Sequence, residues 1–288
     1  MRIMNKPDFI YVGYPRTGSS WIFQQLIKHS KVFLPFCKEI DFYWGYGQPP
    51  KGDPEFMTKR IKRYRDSRIK GYSDKFRDVL KWKRVLWDLK FVYGRRSPKW
   101  YYSLFPNNKM CGDISPNMAF IGKDEIRRLY SALPDIKIIL TFREPIDQLW
   151  SAVMREIHTT KYDLDAISDE TLSEEVDRAI HAFPRYHECY ENWFSIIPHE
   201  QIYFSFFEDA MKDPAQRYTS ICQFLDLEPE TSCISIKPVG GTKKFVLTDE
   251  YEQLLVDEFR ESVEILHQDE RFDLPSAWYK RYPYLRSS

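Results

Sequence analysis

The chain has 288 residues, of which 43% are hydrophobic and 30% charged, and a formal net charge of +1. Such a balance gives no global field to recruit nucleic acid or an anionic membrane, so any anion site must be local. Met1–Pro7 has no apolar core and no run of 18 apolar residues follows, so neither a cleaved leader nor a membrane span is expected.

Taken in chain order, the first element is the apolar run Phe9–Val12, a buried strand. Behind it stands Gly13-Tyr14-Pro15-Arg16-Thr17-Gly18-Ser19-Ser20-Trp21, opening an amphipathic helix over Trp21–His29. Strand, Gly-bounded loop and helix make a phosphate cradle, because loop amides and the helix N-terminus point positive partial charge at an anion. The Gly13…Gly18 spacing is that of a nucleotide-hydrolysing P-loop, but Ser19 stands where that motif needs Lys. Arg16, inside the loop, supplies a cation instead. The loop reads as a phosphate site that is not built for ATP hydrolysis.

Lys31–Phe36 is a candidate second strand. Residues 50–105 are rich in Lys, Arg, Trp and Tyr and read as a helical insertion, with helices at Glu55–Asp66, Lys75–Leu86 and Pro98–Phe105. Buried strands follow at Lys109–Cys111, Ile136–Phe142 and Gln201–Phe206. Helices are expected at Asp124–Leu133, Pro145–Ile157 and Ala215–Leu225, with a second helical elaboration over Leu172–Ile197 and a last helix at Asp249–His267. Alternating strands and helices predict an α/β fold, a parallel sheet of about five strands flanked by helices on both faces. No Gly/Ser/Pro-rich linker divides the chain, so residues 1–288 read as one domain. Cys37, Cys111, Cys189, Cys222 and Cys233 are widely spaced without a C-x-x-C pair, which suits reduced cytoplasmic thiols better than zinc or disulfides.

Ligands of parallel α/β sheets bind beyond the carboxyl ends of the strands. The loop lies at one such end and Arg143 at another, followed by Pro145 in a helical first turn and by Ser151, which shares a helix face with Asp147. An Arg there, rather than an Asp, argues for an anion and against Mg²⁺. Alone, such an Arg is better explained by pairing with a surface carboxylate.

Together, Tyr14–Trp21 and Arg143-Glu144-Pro145-Ile146-Asp147-Gln148-Leu149-Trp150-Ser151 resemble the PAPS-dependent sulfotransferases. That family carries a P-[KR]-x-G-[ST]-[ST] loop and an R-x-P-x-[DE]-x-x-x-S segment. Phe206-Phe207-Glu208-Asp209 through Phe224-Leu225-Asp226-Leu227 is similar to its "YEDL … FLG" region. The resemblance covers Phe9 to about His267. It implies a P-loop-NTPase-like sulfotransferase fold, PAPS as donor, PAP as product and no metal. By this resemblance Arg16, Thr17, Gly18, Ser19 and Ser20, with Trp21 behind them, would hold the 5′ phosphosulfate. Arg143 and Ser151 would hold the 3′-phosphate. Gly240-Gly241-Thr242-Lys243-Lys244 resembles a late basic loop over that phosphate, and is otherwise an exposed turn with two solvated lysines. Arg16 stands where most cytosolic members have Lys. Its rigid fork suits stabilisation of charge better than proton donation.

Lys38-Glu39-Ile40-Asp41-Phe42-Tyr43 resembles the K-E-x-x-F-F motif of the carbohydrate branch, notably the heparan sulfate enzymes. Gly112-Asp113-Ile114-Ser115-Pro116 is similar to that branch's G-E-x-[ST]-P. None of the six histidines lies in the K-x-H-like context of the His-base branch. The resemblance makes Glu39 the general base, Lys38 a neighbouring cation and Asp113 the reserve base. Burial against Phe36, Phe42, Tyr43 and Trp44 would raise the Glu39 carboxyl, and Lys38 would oppose that. The plain alternative is a surface Lys-Glu pair. Asp41 and Ile114 depart from the branch pattern at positions that touch the sugar, and Phe207 replaces a Tyr near the adenine. The expected acceptor is therefore a carbohydrate or another small alcohol or phenol. Two rivals are a P-loop small-molecule kinase, weakened by Ser19 and Arg143, and a non-catalytic nucleotide-binding module, disfavoured by Glu39.

Overall fold

In the computed structural model, which describes residues 6–44, 62, 80–159, 167–182, 186–234 and 247–286, β1 (Phe9–Gly13) lies at the centre of a parallel sheet. β2 (Val32–Phe33) and β3 (Met110–Ile114) lie on one side of it, β4 (Lys137–Phe142) and β5 (Ile202–Phe206) on the other, in the order β2-β3-β1-β4-β5. The described helices are α1 (Ser19–Leu26), α2 (Leu80–Tyr93), α3 (Pro98–Tyr102), α4 (Lys123–Ala132), α5 (Pro145–Thr159), α6 (Asp169–Ala182), α7 (Tyr186–Phe194), α8 (Phe207–Lys212), α9 (Pro214–Phe224) and α10 (Asp249–Gln268).

Both faces of the sheet are covered, as its apolar strands require. Successive side chains of a strand point to opposite faces. Phe9 and Tyr11 of β1, with Ile139 of β4, pack against Trp21, Ile22 and Leu26 of α1, Ile221 of α9 and Leu225 just after it. Ile10 and Val12, with Ile138, Leu140 and Phe142, enter the larger core under α4, α5, α7 and α10. β1 and β4 pair from Phe9↔Lys137 to Gly13↔Thr141. From β1 the chain turns toward β2, and from β4 toward β5, so a crevice opens between the two strand ends. The loop after β1 and Arg143 after β4 flank that crevice.

Several expectations change. The strand sought in Lys31–Phe36 is only Val32–Phe33, at the sheet edge, where Pro35 limits pairing. The helical stretch Leu172–Ile197 is two helices, α6 and α7. Glu55–Asp66, apart from Lys62, and residues 75–79 of Lys75–Leu86 lie outside the described residues; α2 runs on to Tyr93. Among the described residues no helix is long and apolar enough to cross a membrane.

Candidate active site

The loop leaves β1 through a tight passage. A Cβ on Gly13 would lie 3.0 Å from both the Thr141 carbonyl oxygen and Thr17 Oγ1. Gly18, the N-cap of α1, has φ 90°, and Arg16 holds φ 75° without a glycine's freedom. A left-handed non-glycine residue costs roughly 1–2 kcal/mol, so neighbours must hold it. Thr17 Oγ1 donates to the Tyr14 carbonyl at 2.7 Å, and the Tyr11 hydroxyl lies 2.8 Å from Thr17 Oγ1. From α5, Gln148 Nε2 donates to the Pro15 carbonyl at 2.7 Å. Arg143 Nη1 donates to the Arg16 carbonyl at 3.0 Å. Tyr186 of α7 fixes Arg143 in turn, its hydroxyl donating to the Arg143 carbonyl at 2.7 Å.

A cleft of about 280 Å³ lies over this loop. Arg16, Gly18, Ser19 and Ser20 form its floor, Lys38 and Glu39 one wall, Arg143, Arg155 and Phe207 another. Arg16 Nε donates to Ser151 Oγ at 2.8 Å. Burial, then Arg155 and Arg143 beside it, pull the Arg16 pKa downward, as expected for cations crowded without a counter-charge. The Arg143 guanidinium lies 4.8 Å from the centre of the Phe207 ring, and its buried Nε has no hydrogen-bond partner among the described residues.

The carboxylates near Arg143 make their hydrogen bonds elsewhere, although the Arg143 charge acts on Glu208. Glu144 accepts the Ile146 and Asp147 amides and contacts Arg281 and the Tyr282 hydroxyl. Burial pushes it up to about 7, against the pull of Arg281 and those amides. Glu208 accepts the Glu144 amide at 2.9 Å and the Trp278 indole at 3.1 Å, and burial raises it too.

Opposite stands Lys38, whose Nζ donates to Ser19 Oγ at 3.2 Å and Ser20 Oγ at 2.9 Å and lies 4.0 Å from Glu39 Oε1. Glu39 and Asp41 both have left-handed backbones, φ 60° and 50°. The end of β3 holds them there: the Glu39 amide donates to the Ile114 carbonyl at 2.8 Å and the Asp41 amide to Ser115 Oγ at 3.2 Å. Strain held in this way gathers at functional sites.

The aromatic residues do not bury Glu39, contrary to expectation. Its side chain is 38% exposed, while Phe42 and Tyr43 turn inward and Phe42 stacks on Tyr101 at 4.6 Å. Nor do Asp41 and Ile114 line the cleft. Asp41 is fully buried and accepts Asn117 Nδ2 at 2.9 Å, and Ile114 belongs to the core behind α1. Asp113 is buried as well, accepting the Tyr101 hydroxyl at 2.9 Å and Ser115 Oγ at 2.7 Å. Thr17 and Trp21 pack beneath the loop rather than lining the cleft. Lys243 and Lys244 lie outside the described residues. Arg155 was not anticipated. Its only trace in the sequence is its position four residues after Ser151, hence on the same helix face.

The sulfotransferase family's sequence profile matches residues 7–231. No curated protein matches the sequence. Among solved structures, the chain is similar to a sulfotransferase from Alicyclobacillus acidocaldarius, at 22% identity and a TM-score of 0.63 over 95% of this chain and 98% of that one. It is also similar to a sulfotransferase domain from the curacin biosynthetic pathway (16% identity, TM-score 0.47, 98% of each chain). A third is retinol dehydratase in complex with retinol and PAP (14% identity, TM-score 0.48, 94% of this chain and 85% of that one). The profile spans most of the chain, including the loop after β1 and Arg143 after β4, and the chain belongs to the sulfotransferase family.

Proposed function

We propose that the protein transfers a sulfuryl group from PAPS to an acceptor hydroxyl by in-line displacement. The observation that carries this reading is the convergence of Arg16, Lys38, Arg143 and Arg155 on one cleft, with Glu39 at its wall. PAPS is a polyanion, and the residues present fit it. The loop amides, Ser19 and Ser20 suit the phosphosulfate, and the unpartnered Nε of Arg143 offers a donor for a second phosphate. Residues 1–288 act here as one catalytic domain.

In this reading Glu39 accepts the proton of the acceptor hydroxyl as its oxygen bonds to sulfur. The bond between sulfur and the 5′-phosphate oxygen breaks, and its electron pair stays on the phosphate. Arg16 and the loop amides stabilise that charge, and Lys38 holds the two loop serines in place. Asp113 is committed to Tyr101 and Ser115, which supports Glu39 as the base. The Lys38-Glu39 pair in the cleft favours the carbohydrate branch, with a carbohydrate or another small alcohol or phenol as acceptor.

Calorimetry with PAP, 5′-AMP and ATP with Mg²⁺ tests the donor. Each charge-assisted hydrogen bond to the 3′-phosphate is worth roughly 1.5–3 kcal/mol, so PAP should bind at least about tenfold tighter than 5′-AMP. Equal affinities overturn the reading, and tighter binding of ATP with Mg²⁺ favours a kinase. Labelled PAPS with an acceptor panel then identifies the acceptor.

A further inference from the structure

Behind the loop, α9 buries a charge that its packing does not require. Asp213 caps this helix, accepting the Gln216 amide at 2.9 Å, and Pro214 stands in its first turn. This aims Arg217 at the sheet, where it is 3% exposed. Nη2 donates to Thr141 Oγ1 at 3.1 Å, and the guanidinium lies 5.6 Å from the centre of the Trp21 ring. Nη1 lies 3.2 Å from the point a Cβ on Gly18 would occupy. The charge therefore sits directly beneath the N-cap of α1.

Nothing described around it neutralises it. Nε and Nη1 have no hydrogen-bond partner among the described residues. Burial pulls its pKa down, and the titratable groups that oppose this are the hydroxyls of Tyr203 and of Tyr11, which also hydrogen-bonds to it. Keeping an ion in the interior is costly unless a counter-charge is near. The N-terminus of α1 adds positive partial charge at the same place. Arg217 also lines a cavity of about 370 Å³ beside β5, where Asp209, Asp213 and Asp273 outnumber one further cation, Arg271, which is itself paired with Asp269, so an anion is not favoured there. The favourable place for a negative charge is the other side of Gly18, in the loop.

We infer that Arg217 is the buried counter-charge for the anion held by the loop Tyr14–Ser20, a positioning residue that strengthens phosphate binding without touching the ligand. The inference rests on reading the cleft as a nucleotide site. Its energetic signature is that the unliganded protein gains nothing from the charge, whereas the liganded protein does.

The test uses the full chain with Arg217→Met, Arg217→Gln and Arg217→Lys, read by thermal unfolding without ligand and by calorimetry with PAP. Arg217→Met should leave Tm unchanged or raised and weaken PAP at least about tenfold, roughly 1.4 kcal/mol. Arg217→Lys should bind PAP more tightly than Arg217→Gln, which keeps a donor but no charge. A fall in Tm for Arg217→Met overturns the inference whether or not PAP binds. Failure of Arg217→Met to fold overturns it likewise. Wild-type affinity in the neutral variants also overturns it, leaving the nucleotide reading intact. A wild-type protein that does not prefer PAP overturns the nucleotide reading itself.

Discussion

Replacing Glu39 by Gln separates proton transfer from nucleotide binding. Gln keeps the size and the hydrogen-bonding capacity of Glu, and the backbone amide that anchors residue 39 to Ile114 is untouched. A general base contributes typically 10²–10⁴-fold, so turnover should fall at least about a hundredfold, on the order of 3 kcal/mol in the barrier. Nucleotide affinity should move little, and in the opposite direction. Glu39 Oε1 lies 4.0 Å from Lys38 Nζ, and its side chain is 38% exposed. At that separation in a water-like medium, two unit charges interact by about 1 kcal/mol, so removing the negative charge should tighten PAP by a few-fold at most. Single-turnover transfer with labelled PAPS, alongside PAP calorimetry on the same preparation, measures both. Transfer within threefold of wild type would refute the reasoning. If Asp113→Asn were then inactive but folded, the base would be Asp113, despite its bonds to Tyr101 and Ser115.

Arg16→Ala should lower turnover far more than PAP affinity, because the charge it meets develops during transfer, and Arg16→Lys should keep substantial activity; kinetics and calorimetry on both variants check this. Arg155→Ala should weaken PAP several-fold by calorimetry while relieving the repulsion on Arg16, so Tm should not fall. Glu144 gives a pH dependence with a definite sign. Burial pushes it up to about 7 in the folded protein, so the unfolded chain releases its proton first. Its contribution to stability is complete below about 4.5, the ordinary Glu range, and is lost as pH rises through about 7. Urea unfolding across that window should show less pH dependence in Glu144→Gln than in wild type.

Local chemistry made much of this protein legible. The alternation and apolarity of Phe9–Val12 and Ile136–Phe142, the glycines at 13 and 18 and Pro145 after Arg143 all act through neighbours in the chain. They mark strands, loop and helix starts without reference to the rest of the molecule. Other features depended on how the chain returns on itself. Only the order β2-β3-β1-β4-β5 sets Arg143 beside Arg16, and only the packing of α5 adds Arg155 to that pair. The ring of aromatic residues after Glu39 looked like a wall around the carboxylate, but left-handed turns at Glu39 and Asp41 send the rings into the core and leave Glu39 at the cleft. Arg217 is the plainest case. In the sequence it is one more cation on an amphipathic helix, a pattern usually solvated. Its burial under Gly18 arises because α9 packs on the same face of the sheet as α1, a long-range contact that helical periodicity alone does not encode.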